Sequence, residues 1–248
     1  MALAHANCVT EADMQGAVAS LGHGERRRLA DFVRPQRRRQ FVLGRILLRS
    51  MLAAEFGIHP KDIDVHERPG NSPLIRLDQA LPAPYFSLSH SADWIACVIS
   101  RDTAVGIDVE AIDPARDIAA LSHAAFTADE CAWLEQQPHD RQLSAFYHLW
   151  SLKEALYKMQ GSVSPPLIDS QGKLASQGEG WQGLTLDQPG VSLVICSALS
   201  LARVHVFGHA DHESPCHATG AGIKRAKQFP STENFITARV PGLPNISA

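Results

Sequence analysis

Two acids two residues apart, Asp108 and Glu110 in the stretch Val105-Gly-Ile-Asp-Val-Glu110, raise the first chemical question of this chain. The pattern reads as a strand with Val105, Ile107 and Val109 on one face and both acids on the other, because successive side chains alternate. Two carboxylates on one face repel unless a cation stands near them. A later helical segment, Trp150-Ser-Leu-Lys-Glu-Ala-Leu-Tyr-Lys158, offers a third acid, Glu154, and a lysine, Lys158, four residues on and on the same helix face. Taken by itself that pair is a surface Glu–Lys contact worth about 0.3–0.5 kcal/mol, but Leu149, Leu152 and Leu156 set it beside buried surface. Asp108, Glu110 and Glu154 are hard oxygen donors of the kind Mg²⁺ takes between protein and phosphate. No His–Cys set accompanies them, which disfavours zinc. From the residues alone, a metal site and a salt-bridged strand end both stay open.

Ser89-His90 closes another strand-like segment, Tyr85-Phe-Ser-Leu-Ser-His90. It offers a hydroxyl, an imidazole and backbone N–H groups, all of which suit a phosphate; a structural histidine is the plainer reading. No G-x-S-x-G surrounds the serine, so no hydrolase elbow is formed. Nine arginines lie between Arg26 and Arg49 against one acid, Asp31. Arg26 to Arg28 read as a solvated helix face, whereas Arg37, Arg38, Arg39 and Arg45 lie where their planar forks could meet phosphate oxygens.

The elements that must position these residues follow from pattern and punctuation. Residues 24–56 carry a helical apolar stripe that Pro35 divides into two helices and Gly57 ends. Residues 58–77 read as a turn, a short strand and a Gly70-Asn71-Ser72-Pro73 loop. Residues 85–110 read as a hairpin or meander of two or three strands, the last ending at Glu110. Residues 117–137 form one helix with a Thr127–Glu130 capping box, and residues 140–160 a second that stops at Gly161. Loops with a short strand near Trp181 follow, then a last strand at Gly190–Leu199. Beyond about residue 210 few apolar residues remain, and His205, His209, His212, Cys216 and His217, whose spacing loosely resembles a metal site, are read instead as part of a disordered tail. Interleaved strands and helices make the class α+β, or α/β in two layers.

The chain has 248 residues, 45% hydrophobic and 20% charged, with a formal net charge of −3. That balance argues against nucleic acid or a membrane surface as partner. Five scattered cysteines without a CxxC fit a reducing cytoplasm, and the N-terminus lacks the pattern of a signal peptide.

In this order, Phe86-x-Leu-Ser-His-Ser-x-x-Trp94, Val105-Gly-Ile-Asp-Val-Glu110 and Phe146-Tyr-His-Leu-Trp-Ser-Leu-Lys-Glu-Ala-Leu-Tyr-Lys158 resemble the Sfp-type 4′-phosphopantetheinyl transferases, from about residue 25 to about residue 200. The resemblance implies a fold of two similar α/β halves about a pseudo-twofold axis with the active site in the cleft between them: here an N-terminal half, 1–110, and an abbreviated C-terminal half, 111–205, before the tail 206–248. It implies transfer of the phosphopantetheine arm of coenzyme A to a serine of an apo acyl or peptidyl carrier protein, by a cytoplasmic monomer. Asp108, Glu110 and Glu154 would hold Mg²⁺, with Asp108 also facing coenzyme A. Lys158 would neutralise charge on the pyrophosphate, and Glu154 would serve as base toward the carrier serine. Ser89, His90 and Arg37 to Arg39 would contact the 3′-phosphate. The family's Gly-Lys-Pro loop reads Gly70-Asn71-Ser72-Pro73 here, so Asn71, Ser72 and Arg68 or Arg76 stand where its lysine would bind coenzyme A. Arg26 to Arg28 and Phe126 could dock the carrier. The competing expectations are a non-catalytic binding module and an Mg²⁺-dependent phosphohydrolase.

Overall fold

A computed structural model describes residues 1–204 apart from 69, 78–81, 163, 187, 202 and 203. The expected tail and its histidines lie outside the described residues. The chain divides between Asp102 and Thr103 into two compact units.

The first unit opens on strand β1 (Ala2–His5) and helices α1 (Glu11–Ser20), α2 (His23–Ala30) and α3 (Pro35–Phe56). Pro35 is the first residue of α3, where its missing N–H costs nothing. Gly57 ends the helix at φ 65°, a left-handed turn that glycine enters without a steric penalty. Strands β2 (Asp64–Arg68) and β3 (Asn71–Arg76) form an antiparallel ribbon, and β4 (Tyr85–Ser91) and β5 (Trp94–Ser100) a hairpin that β1 extends in the order β1-β5-β4. Leu48, Met51 and Leu52 of α3 pack on Val65, Ile75 and Cys97, which gathers both sheets on one helix.

The second unit holds β6 (Val105–Ala111), α4 (Ile118–Ala125), α5 (Ala128–Glu135), α6 (His139–Gln160), β7 (Gln177–Gly178), β8 (Trp181–Thr185) and β9 (Val191–Ser197). Its antiparallel sheet runs β6-β9-β8-β7. Leu149, Leu152, Ala155 and Leu156 of α6 cover Trp181, Val194 and Cys196 on that sheet. The first unit thus sets two antiparallel sheets on a 22-residue helix and the second sets one, and the fold is α+β.

Several expectations change. The segment 85–110 is not one meander: β4 and β5 form a hairpin, while β6 pairs along its whole length with β9 and goes with the second unit. The expected helix over 117–137 is two, because Phe126 is extended and Thr127 caps α5 anew, its hydroxyl accepting from Glu130 N–H. Asn71-Ser72-Pro73 lies within β3 rather than in a loop. Strand β1 and helix α1 were not foreseen, although Thr10 and Asp13 form a complete capping box. No described helix is long and apolar enough to cross a membrane.

Candidate active site

In the second unit, Gly106 decides how closely strand and helix approach. A Cβ there would lie 1.9 Å from the carbonyl oxygen of Ala155 and 2.8 Å from the nitrogen of Met159, so only glycine lets α6 press its backbone onto β6. Asp108 and Glu110 share the Gly106 face by strand alternation. They therefore turn toward α6, opposite Val194 and Ser192 of β9 in register.

Asp108 is 3% exposed, and Lys158 Nζ donates to its Oδ1 at 2.7 Å. A buried carboxylate requires such a cation, since an uncompensated charge in a low-dielectric seam is costly. The lysine side chain is 26% exposed against 4% for the aspartate, so the pair spans from interior to rim. Glu154 lies one helical turn before Lys158, and both Glu154 and Glu110 are half-buried. Among the described residues no three His, Cys, Asp or Glu side chains gather closely enough to hold a metal ion. The structure joins Asp108 to Lys158 and leaves the three acids as neighbours on facing elements, not as a formed cage.

Contacts that the sequence did not disclose lock this seam. Tyr147 is fully buried; its hydroxyl accepts from the Asp113 N–H at 3.1 Å, and its carbonyl accepts from Ser192 Oγ at 3.1 Å. Lys153 is turned away from Asp108: its Nζ donates to Glu130 Oε2 at 2.6 Å and lies 5.7 Å from the Phe126 ring centroid, tying α5 to α6. Burial pushes the Cys97 and Cys196 thiols up to about 12, so neither offers a thiolate near neutral pH.

The first unit sorts its basic residues into separate jobs. Arg37 Nη1 lies 2.9 Å from Nδ1 and 2.5 Å from Nε2 of His90 and donates to Gln40 Oε1 at 2.7 Å. Arginine only donates, so the imidazole meets it through an accepting nitrogen. Gln40 donates in turn to the Ala92 carbonyl at 2.6 Å. This secures the two-residue β4–β5 turn, where Ala92 takes φ 49°, and with it the position of His90. Arg38 and Arg39 are tied to the carbonyls of Leu29 and Val9. Arg45, expected at a site mouth, is instead buried, with Glu67 Oε1 2.6 Å from its Nη2 and Glu25 Oε1 3.4 Å from its Nε. Arg49 makes two bonds to Glu25, at 2.7 and 2.6 Å. These acids lie outside the arginine run, one residue before it and eighteen residues after.

Ser89 and His90 part company. Ser89 is buried and His90 exposed, on opposite faces of β4, so their side chains do not meet one ligand from one face. Arg68 Nε donates to the Ser72 carbonyl at 2.8 Å across the β2–β3 turn, with Asn71 and Ser72 exposed beside it.

Comparison with known proteins agrees with this division of the chain. Residues 104–178 match the family model described as the 4′-phosphopantetheinyl transferase superfamily, and residues 9–102 that described as 4′-phosphopantetheinyl transferase, N-terminal. The chain is 33% identical over 182 residues to the 4′-phosphopantetheinyl transferase psf-1 of Bacillus pumilus, covering 68% of this chain and 75% of that protein. It is 30% identical over 151 residues to HetI of a Nostoc strain, covering 61% and 64%. It is 29% identical over 172 residues to Sfp of Bacillus subtilis, covering 64% and 74%; both of these also carry the name 4′-phosphopantetheinyl transferase. With the Asp108–Lys158 pair inside the first matched segment and the Arg37–His90 contact inside the second, the chain belongs to the 4′-phosphopantetheinyl transferase superfamily.

Proposed function

We propose that this chain transfers the 4′-phosphopantetheine arm of coenzyme A to a serine of an apo acyl or peptidyl carrier protein, leaving holo carrier and adenosine 3′,5′-bisphosphate. The observation that carries the reading is the Asp108–Lys158 pair, 2.7 Å long, at the rim of a seam that Gly106 keeps closed. Transfer to a hydroxyl brought by the partner needs positioning and charge neutralisation, not a nucleophile on the enzyme.

In this reading Asp108, Glu110 and Glu154 would hold Mg²⁺. The donors fit the ion in kind, being carboxylates with neither thiolate nor imidazole among them. Mg²⁺ needs only one or two direct carboxylate bonds, the rest of its shell being water and phosphate oxygens, so the three acids could share the ion directly and through water and a complete protein cage is not required. When bound, the ion neutralises charge on the pyrophosphate. Lys158 rests on Asp108 and is exposed enough to give an N–H to a pyrophosphate oxygen, offsetting charge on the leaving group. Glu154, half-buried one turn away, takes the proton of the carrier serine at a carboxylate oxygen, directly or through water.

In the first unit Arg37 and His90 suit the 3′-phosphate, and Arg68, Asn71 and Ser72 at the β2–β3 turn are further contacts for coenzyme A. Arg38 and Arg39, committed to backbone carbonyls, are the weaker candidates. The two units are read as the paired halves that the family fold implies, working as a monomer.

The test is the intact mass of an apo carrier protein after incubation with coenzyme A, Mg²⁺ and this chain. A gain of one phosphopantetheinyl group is expected with wild type, and none with Asp108→Asn or Glu154→Gln variants whose circular dichroism shows them folded. Coenzyme A binding without any mass gain would turn the reading into a binding module. Coenzyme A breakdown without a carrier would turn it into a phosphohydrolase.

A further inference from the structure

Helix α3 packs a second face against α1. Pro35, Arg38, Arg39 and Val42 follow one another at three- and four-residue steps, which puts them on one stripe of the helix. All four border a recess of about 710 Å³ within the first unit, shared with Met14 and Val18 of α1. That volume falls among small-molecule sites, which run to about 300–1,000 Å³. Arg37, which meets His90, is not among the lining residues. Met14, Leu29 and Val42 supply a nearly buried apolar floor, and half-buried Val18 an apolar side. Two guanidiniums border the same space. Arg38 gives an N–H to the Leu29 carbonyl at 2.9 Å, and Arg39 gives one to the Val9 carbonyl. A guanidinium carries five N–H donors, so both have donors to spare. Among the described residues Arg39 Nε is buried with no acceptor at all. Glu11 stands 4.0 Å from Arg39 Nη1 with its side chain 76% exposed, too far for a hydrogen bond and too wet for a strong ion pair. Glu11 also opens α1, where its charge suits the helix dipole. Asp93, the other acid on the rim, accepts from Gln36 at 3.4 Å. The recess thus joins an apolar lining to a guanidinium short of acceptors.

We infer that this recess is a second ligand site, and that it takes a small amphipathic carboxylate with its chain on the apolar lining and its head on Arg39, beside Arg38. An ionised carboxylate only accepts hydrogen bonds and matches the planar fork of a guanidinium. The chain removes the apolar lining from water, which favours binding in proportion to the area covered. A bare phosphate would bring the charge and leave that lining wet. Arg38 and Arg39, the weaker candidates for coenzyme A, thereby gain a ligand of their own. The inference does not rest on the transferase reading, and it stands even for a chain that loads no carrier.

The test is calorimetric titration of the full chain with decanoate, decylammonium and butyrate, below the concentrations at which the ten-carbon chains associate. Decanoate should bind about tenfold or more tightly than decylammonium, which has the chain with the wrong charge, and than butyrate, which has the head with little chain. Arg39→Gln should weaken decanoate about tenfold, the loss of one charge-assisted contact, and leave decylammonium within about twofold. Val18→Trp, which fills the recess, should weaken decanoate by a similar factor. Arg116→Gln, which removes the same charge from the second unit, should change nothing. Decanoate that fails to bind wild type, or that binds no better than decylammonium, overturns the inference. Unchanged decanoate affinity in folded Arg39→Gln does the same. Should that variant fail to fold, Val18→Trp decides: weaker decanoate binding supports the site, and unchanged binding removes it.

Discussion

In the first unit Glu25 is completely buried and is gripped by two arginines, with Arg49 bonded to both of its oxygens and Arg45 shared between Glu25 and Glu67. In the second unit Asp108 is almost as buried, but it meets a lysine whose side chain reaches toward solvent. The arginine forks are rigid, two-pronged and enclosed, which suits a cross-brace between α2, α3 and β2. A lysine ammonium is a compact point charge on a flexible stem and lacks the two-pronged fork. Similar buried ion pairs therefore differ in kind: the first is an enclosed fastening, and the second, in the proposed function, is a charge held ready at the rim. An arginine-rich run therefore says little about a ligand by itself, since Arg45 and Arg49 of this one are already occupied by buried acids.

The largest effect should come from breaking the fastening. Glu25→Gln leaves Arg45 and Arg49 buried with one carboxylate fewer, and removing one partner of a buried ion pair costs about 3–5 kcal/mol. Chemical denaturation should show that loss, while carrier loading per folded molecule stays near wild type. A variant as stable as wild type would mean that the brace carries no stability and would dissolve the contrast.

Lys158→Met should behave in the opposite sense. The charge removed lies at the rim, but buried Asp108 loses that partner, so stability should fall by about 2–3 kcal/mol, less than for the enclosed arginine brace, while carrier loading should fall roughly 100-fold or more, as when a donor to developing charge is removed. The KM for the carrier protein should hardly move, since the lysine acts on the pyrophosphate. A large stability loss with unchanged loading would make Lys158 another fastening.

Much of the placement of the candidate site in the second unit was legible in the sequence because its parts are local. Period two puts Asp108 and Glu110 on one face, and the four-residue step sets Glu154 and Lys158 on another. What local pattern could not supply was the approach of the two elements. Gly106 looks like any strand glycine until the Ala155 carbonyl is found against it. The fate of the arginines was illegible for the same reason: Glu25 lies one position outside the run and Glu67 on a distant strand, so only the tertiary fold shows that Arg45 and Arg49 are already spoken for. Two signals were present and passed over. Strand alternation already separates Ser89 from His90, and the Thr10–Asp13 capping box already announces α1.

The smallest effect concerns pH and again falls on α6. His148 Nε2 lies 2.7 Å from Thr185 Oγ1 on β8, and burial lowers the imidazole from its ordinary 6.5. A histidine whose folded pKa lies below its unfolded value binds its proton more readily when unfolded. Above about 6.5 the group is neutral in both states and does not affect their balance. As the pH falls through that value the unfolded chain takes up the proton first, and stability declines. His148→Gln can keep a hydrogen bond to Thr185 but cannot titrate. Its melting temperature should therefore fall less steeply than that of wild type between pH 7 and pH 5 (roughly the window set by an unperturbed histidine). Parallel curves would exclude His148 as the acid-sensitive point of the seam. A shallower variant curve would show that the helix bearing Lys158 is also the one a proton loosens, sharpening its contrast with the arginine-braced unit.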